Sequence, residues 1–214
     1  MLDLSHSGTQ LLETAAGQTE LIVDVPAGAP CGMALVGHPQ PLLGGHAMHK
    51  LPQFLARGLC DAGWLVVRPN FRGVGRSSGT HDAGLGEADD VLALHDLLQG
   101  ERTGLRMTLV GFSFGAFVMA RVARALADRS RPAWRVCLAG LPFGEAGGRH
   151  YDTPSGFADA LVVHGEQDER VPLAAVLDWA RPQVQPVMVV PGADHFFTGK
   201  LHVLRALVLS HLKP

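Results

Sequence analysis

Cysteine is scarce. The three residues Cys31, Cys60 and Cys137 stand at spacings that match neither a disulfide framework nor a metal-binding motif, so a reducing setting is expected. An excess of one charge is also missing. Eighteen Lys and Arg against 20 Asp and Glu leave a formal charge of −2, too little of either sign to hold nucleic acid. Long apolar runs are lacking too. The longest, near Val203 to Leu209, is interrupted by Arg205, and the start Met1-Leu2-Asp3-Leu4-Ser5-His6 has no basic flank or apolar stretch, so neither a membrane span nor an export signal is expected. A soluble, cytoplasmic protein is the expectation. No repeat, low-complexity tract or linker divides the chain, and 214 residues suit one domain over residues 1–214. With 47% hydrophobic and 18% charged residues, the chain has what it needs to bury a sizeable core.

What is present is a succession of short apolar runs with helical stretches between them, the pattern of a mainly parallel, twisted sheet covered by helices on both faces. The runs are Met33 to Val36, Trp64 to Val67, Met107 to Val110, Val136 to Ala139, Leu161 to Val163 and Val187 to Val190. Before them, Gln10 to Thr14 and Glu20 to Val25 read as an opening hairpin broken at Ala16-Gly17-Gln18. Helices are expected around Ala47 to Ala62, Glu87 to Leu98, Ala116 to Ala127, Leu173 to Ala180 and Lys200 to Leu212. The Gly-rich segment from Gly140 to Ser155 reads as irregular, and it is the one place with room for a small cap.

Gly111-Phe112-Ser113-Phe114-Gly115 lies between a predicted strand and a predicted helix, the context of a G-x-S-x-G nucleophile elbow. Such a turn exposes the serine hydroxyl, and the flanking glycines remove β-carbons where strand and helix nearly touch. A serine hydroxyl needs a base to take its proton and a third group to hold that base in the right tautomer. Two later strand-to-loop transitions offer both: Leu161-Val162-Val163-His164-Gly165-Glu166-Gln167-Asp168, and Val189-Val190-Pro191-Gly192-Ala193-Asp194-His195. In open α/β sheets, ligands and catalytic groups gather at the carboxyl ends of the strands. The chain order Ser113, Asp168, His195 is that of the α/β-hydrolase triad.

From about Met33 to Leu212 the chain resembles a small, nearly lidless bacterial α/β-hydrolase, near the dienelactone-hydrolase-like branch but with serine as nucleophile. Five stretches carry the resemblance: His38-Pro39-Gln40-Pro41-Leu42-Leu43-Gly44-Gly45, Asn70-Phe71-Arg72-Gly73-Val74-Gly75-Arg76-Ser77, the elbow, His164-Gly165-Glu166-Gln167-Asp168 and Gly192-Ala193-Asp194-His195-Phe196-Phe197. The resemblance implies an α/β-hydrolase fold with little or no cap and an acyl-enzyme chemistry on an ester or thioester. Many relatives carry His-Gly after the oxyanion strand, where this chain has His38-Pro39. An oxyanion hole needs two backbone N–H groups. Phe114 supplies one; proline has none to give, so Gln40 is the nearest second donor, with Leu42 or Leu43 open if the loop bends differently.

Other residues invite other readings. Glu145 and Glu166 are alternatives to Asp168 as the acid, while Asp194 is expected to point elsewhere. His46-x-x-His49 with His38 upstream suggests a metal, but no Asp or Glu completes a ligand set, so the pair reads as solvated or capping residues and neither metal nor cofactor is expected. Gly73-Val74-Gly75-Arg76-Ser77-Ser78-Gly79 partly imitates a dinucleotide fingerprint, yet seven residues intervene before the next helix. That loop is read as structural, with Arg72 a buried donor and Asn70 a turn residue. Glu87 and Asp90 are assigned to a helix's first turn, where carboxylates complement the dipole, and His164 to fixing its own loop. Leu42, Phe114, Phe143 and Phe196 are expected to line a cleft for an uncharged acyl group, among Leu43, Phe112, Leu141 and Phe197 that also lie near. Arg149 and Arg170 have two readings, contact with a substrate carboxylate and a solvated surface position, of which the second comes first. Two functional classes follow: a serine hydrolase on a small acyl ester or thioester, and a non-catalytic small-molecule binding protein with an idle triad. Turnover of small esters separates them.

Overall fold

The structure, a computed structural model, describes residues 2–14 and 17–213. Eight strands form one sheet in the order β1-β2-β4-β3-β5-β6-β9-β10: β1 (Gly8–Thr14), β2 (Gly17–Asp24), β3 (Gly32–Gly37), β4 (Trp64–Pro69), β5 (Met107–Phe112), β6 (Arg135–Ala139), β9 (Ala160–Gly165) and β10 (Val187–Val190). β1 pairs antiparallel with β2, and β2 antiparallel with β4; every other pairing in the sheet is parallel. Of the expected break in the opening pair, Ala16 lies outside the described residues, and Gly17 and Gln18 begin β2.

Alternation along the strands divides the core in two, because successive side chains of a strand point to opposite faces. Met33, Leu35, Leu65, Val67, Leu109, Leu138 and Val162 face one way. They are covered by α2 (Leu85–Glu101), α3 (Phe114–Asp128) and α4 (Leu173–Ala180). Ala34, Val36, Val66, Val110, Phe112, Cys137, Ala139 and Val163 face the other way, against α1 (Lys50–Asp61) and α5 (Leu201–His211). Helix α1 buries Leu51, Leu55 and Leu59, one every fourth residue and so along one stripe. Each such leucine contributes about 1.5–3 kcal/mol by leaving water. Because both faces are covered, the parallel strands read in sequence as unbroken apolar runs. The expected α1 begins three residues late: residues 47–49 form a turn, and Asn70 Oδ1 accepts the Ala47 N–H at 2.8 Å there.

The segment after β6 differs from its expected irregularity. A two-stranded hairpin, β7 (Gly144–Ala146) and β8 (Arg149–Tyr151), stands over the carboxyl edge of the sheet. Its turn is Gly147-Gly148, with φ of 55° and 71°. Two successive positive φ values define the tight turn that suits the twist of a hairpin, and glycine adopts them without strain.

The glycine-containing loop after β4 is structural, as expected. Ser77 Oγ accepts the Glu20 N–H and Ser78 Oγ the Gln18 N–H, each at 3.0 Å, which ties the loop to β2. Asn70 donates to Glu20 Oε2, and Arg72 donates twice to Asp90 at 2.8 Å while its side chain stays about a quarter exposed. Glu87 caps α2 by accepting the Asp82 and Gly84 N–H groups. Asp90, expected in the first turn beside it, lies farther into the helix and serves Arg72 instead.

Candidate active site

Strand β5 delivers Val110-Gly111-Phe112 to the carboxyl edge, and the chain then reverses into α3 within one residue. That residue is Ser113, at φ 55° and ψ −123°, a conformation costing about 1–3 kcal/mol for a side chain with a β-carbon. A β-carbon on Gly111 would come within 2.4 Å of Gly115 O, and one on Gly115 within 2.4 Å of Gly37 O. The two glycines thus let strand, helix and the neighbouring β3 crowd together under the turn. Ser113 N–H donates to Ala139 O at 2.8 Å, which holds the elbow to β6.

Asp168 sits three residues beyond the end of β9 and is 6% exposed. Its Oδ1 accepts the Arg170 and Val171 N–H groups at 2.9 and 2.8 Å, and its Oδ2 faces His195 Nδ1 at 2.7 Å. A carboxylate so held accepts a hydrogen bond from Nδ1–H, which leaves the Nε2 lone pair of His195 toward Ser113 Oγ, 2.9 Å away. The acid loop and the histidine loop are tied by Gln167 N–H donating to Ala193 O at 2.9 Å. The other carboxylates are engaged elsewhere. Glu145 meets His150 on the outer face of the hairpin, and Glu166 accepts the Gly192 N–H. Asp194 accepts the Thr198 N–H, which holds its carboxyl below the usual range.

His164 is fully buried beneath this loop, where Nε2 donates to Val171 O at 2.8 Å; burial pushes it toward the neutral form. Its expected role in fixing the loop has that hydrogen bond as its physical form. His38 plays the same part under the loop after β3. Nδ1 donates to Pro39 O at 2.7 Å and Nε2 accepts the Phe71 N–H at 3.0 Å. Burial lowers its pKa to about 3. His46 and His49 have ring centroids 6.2 Å apart, and His38, turned inward, is no partner to them.

Gln40, on the loop ordered by His38, lines the same cavity as Ser113. Among the described residues, neither the Gln40 nor the Phe114 N–H donates to a protein acceptor. The Gln40 side chain is occupied: Oε1 accepts the Leu42 N–H at 3.3 Å and Nε2 donates to Tyr151 Oη at 3.4 Å, which joins this loop to the hairpin.

A cavity of about 150 Å³ opens at Ser113 and His195, lined further by Gln40, Leu43, Pro142, Ala146, Arg149, Tyr151, Arg170 and Val171. A narrower extension of about 80 Å³ runs along Pro39, His49 and Phe196. Three expected lining residues are corrected. Leu42 is 59% exposed and outside both cavities, because the short 3-10 turn Pro41–Leu43 brings Leu43 to the cleft in its place. The Phe114 ring is buried against Phe71 and Phe117, since the first turn of α3 directs it under the elbow. Phe143 packs half-buried on the core beneath the hairpin. Phe196 does line the cleft, and Phe112, Leu141 and Phe197 are core. Tyr151, Arg149 and Arg170 are the additions; the Gly147-Gly148 pair was the available signal for the first two.

A family model of the α/β-hydrolase fold matches residues 41–130. An α/β serine hydrolase without lid from Xanthomonas campestris is 34% identical, with a TM-score of 0.84 over 97% of this chain and 94% of that one. An α/β serine hydrolase homologue from Coxiella burnetii is 32% identical, with a TM-score of 0.84 over 96% and 97%. An uncharacterized Rickettsia prowazekii protein is 44% identical over 87 residues, which span 40% of this chain and only 37% of that protein. The chain belongs to the α/β-hydrolase family, and its sheet is that of the small lidless members. No described helix is long and apolar enough to cross a membrane.

Proposed function

We propose that the protein is a serine hydrolase that cleaves a small ester or thioester through an acyl-enzyme on Ser113. The observation that carries this reading is the unbroken chain Ser113 Oγ, His195, Asp168, at 2.9 and 2.7 Å, opening into a cavity that Gln40 also lines. Ser113 Oγ attacks the carbonyl carbon as His195 Nε2 takes its proton. The oxyanion so formed is met by the Gln40 and Phe114 N–H groups, and a donor of this kind lowers the barrier by about 2.7–4 kcal/mol. The imidazolium, held by Asp168, returns the proton to the departing alcohol or thiol. Water then follows the same path to free the acid. Every group the chemistry needs comes from the chain itself, so the reading includes no metal or cofactor.

The test is a fluorophosphonate probe together with a panel of p-nitrophenyl and thioester substrates. Ser113 is expected to carry the label, and Ser113→Ala to lose both label and turnover. Labelling at another serine, or no turnover of any ester, overturns the reading; the latter favours a binding protein.

A further inference from the structure

The hairpin places a charge over the cleft that the proposed chemistry leaves unused. Alternation along β7 and β8 pairs Ala146 with Arg149 and Glu145 with His150. Ala146 and Arg149 line the cavity at Ser113, whereas Glu145 and His150 meet each other at 2.9 Å on the outer face. The acid of the hairpin is thus turned away from the cleft and its base is turned in. Arg170 enters the same cavity from the acid loop, its guanidinium 5.0 Å from the centre of the Phe196 ring. Among the described residues neither arginine has a carboxylate oxygen within 4 Å; the Arg149 guanidinium donates only to Gly147 O. None of the nearby acids is paired with them. Both oxygens of Asp168 are spoken for, and Glu169 and Asp194 border only the outer groove beside Arg170.

Two arginines without a carboxylate partner line one cavity of about 150 Å³ beside Ser113: Arg149, half-buried with one N–H on Gly147 O, and Arg170, exposed at its rim, so most of their donors are left for a ligand. A guanidinium stays charged over the working pH range and binds carboxylate or phosphate oxygens through paired N–H groups. The geometry points to a substrate that is an anion: a short ester or thioester carrying a carboxylate or phosphate a few atoms from the scissile bond, held by Arg149 and Arg170. This deepens the serine-hydrolase reading and rests on it. It also replaces the uncharged acyl group expected from the sequence, because the three aromatic or leucine side chains assigned to the cleft lie elsewhere and two arginines stand in their stead.

The experiment compares matched pairs: mono-p-nitrophenyl glutarate against methyl p-nitrophenyl glutarate for an anion on the acyl side, and 3-acetoxybenzoate against its methyl ester for one on the leaving side. The ratio of kcat/KM, anionic over neutral, is read after subtraction of the Ser113→Ala rate. Wild type is expected to favour one anionic partner by roughly tenfold or more, with the preference shrinking as salt is added. Arg149→Gln and Arg170→Gln should each lower that ratio about fivefold or more, and Arg→Lys at the same position, which keeps the charge but not the paired N–H groups, should lower it less than Arg→Gln does. A ratio near one in both pairs, or equal losses on the charged and neutral esters in the variants, overturns the proposal. Glutarate binding to Ser113→Ala, followed by calorimetry, keeps the two readings apart. Binding that disappears in the Arg149→Gln, Arg170→Gln background upholds anion recognition even if no ester is turned over, and absence of binding counts against it even if neutral esters are cleaved.

Discussion

His195 stands between a serine and an aspartate that lie on different loops, and its two nitrogens have different tasks. Asp168 fixes the proton on Nδ1, so replacing it by Asn offers the imidazole the wrong partner and turns the lone pair away from Ser113. Asp168→Asn and His195→Ala are each expected to lower kcat on the order of 10⁴-fold in ester hydrolysis assays, whereas Glu145→Gln, on the outer face of the hairpin, leaves that step intact. An Asp168→Asn enzyme of near-normal kcat would remove the aspartate from the reaction. These three residues are legible in the sequence because each lies within five residues of the end of a strand that its own apolar run announces. Leu42, Phe114 and Phe143 were misassigned for the converse reason. They are near Ser113 along the chain or the sheet edge, but the direction of a side chain leaving a turn is set by local φ and ψ, which apolarity alone does not encode.

At the level of elements, the two loops that frame the cleft are held by buried neutral histidines, and this makes them sensitive to acid. The His38 pKa lies near 3 in the fold against about 6.5 for a free imidazole. Between those values the unfolded chain binds a proton that the folded chain refuses, so stability is full above about pH 6.5 and is lost as pH falls toward 3. The slope is up to about 1.4 kcal/mol per pH unit for this one group, and His164, lowered in the same direction, adds to it. Denaturant unfolding at pH 7, 6 and 5 is expected to show a shallower fall in a His38→Asn variant than in wild type; parallel curves would mean that His38 titrates alike in both states. The strands and helices of this framework were readable because burial on both faces leaves a strong apolar signal. The hairpin was not, since strands of three residues carry almost no periodicity and only the paired glycines of the turn mark them.

Seen as a whole, the molecule has a sheet that builds the site from its carboxyl edge and a very small roof over it. The cleft at Ser113 holds little, and Phe196 separates it from a neighbouring pocket of about 280 Å³ lined by His49, Leu51 and Leu201. Each methylene contributes about 0.8 kcal/mol only while it is shielded from water, so kcat/KM over a p-nitrophenyl ester series is expected to peak at roughly two to six acyl carbons. Phe196→Ala, by joining the two spaces, should move the peak to longer chains. A rise continuing to palmitoyl esters in wild type would contradict a cleft of this size.

Ser113 and His195, the proposed nucleophile and base, are 82 residues apart in the chain, and His195 comes second. During synthesis at about 5–20 residues per second, Ser113 therefore exists for roughly 4–16 seconds before His195 has been made. Throughout that interval the elbow carries an ordinary alcohol, and the protein passes its nascent life chemically silent. On the proposed reading, reactivity arrives only when β10 has joined the far edge of the sheet, so the last strand to be laid down is also the one that brings the serine its base.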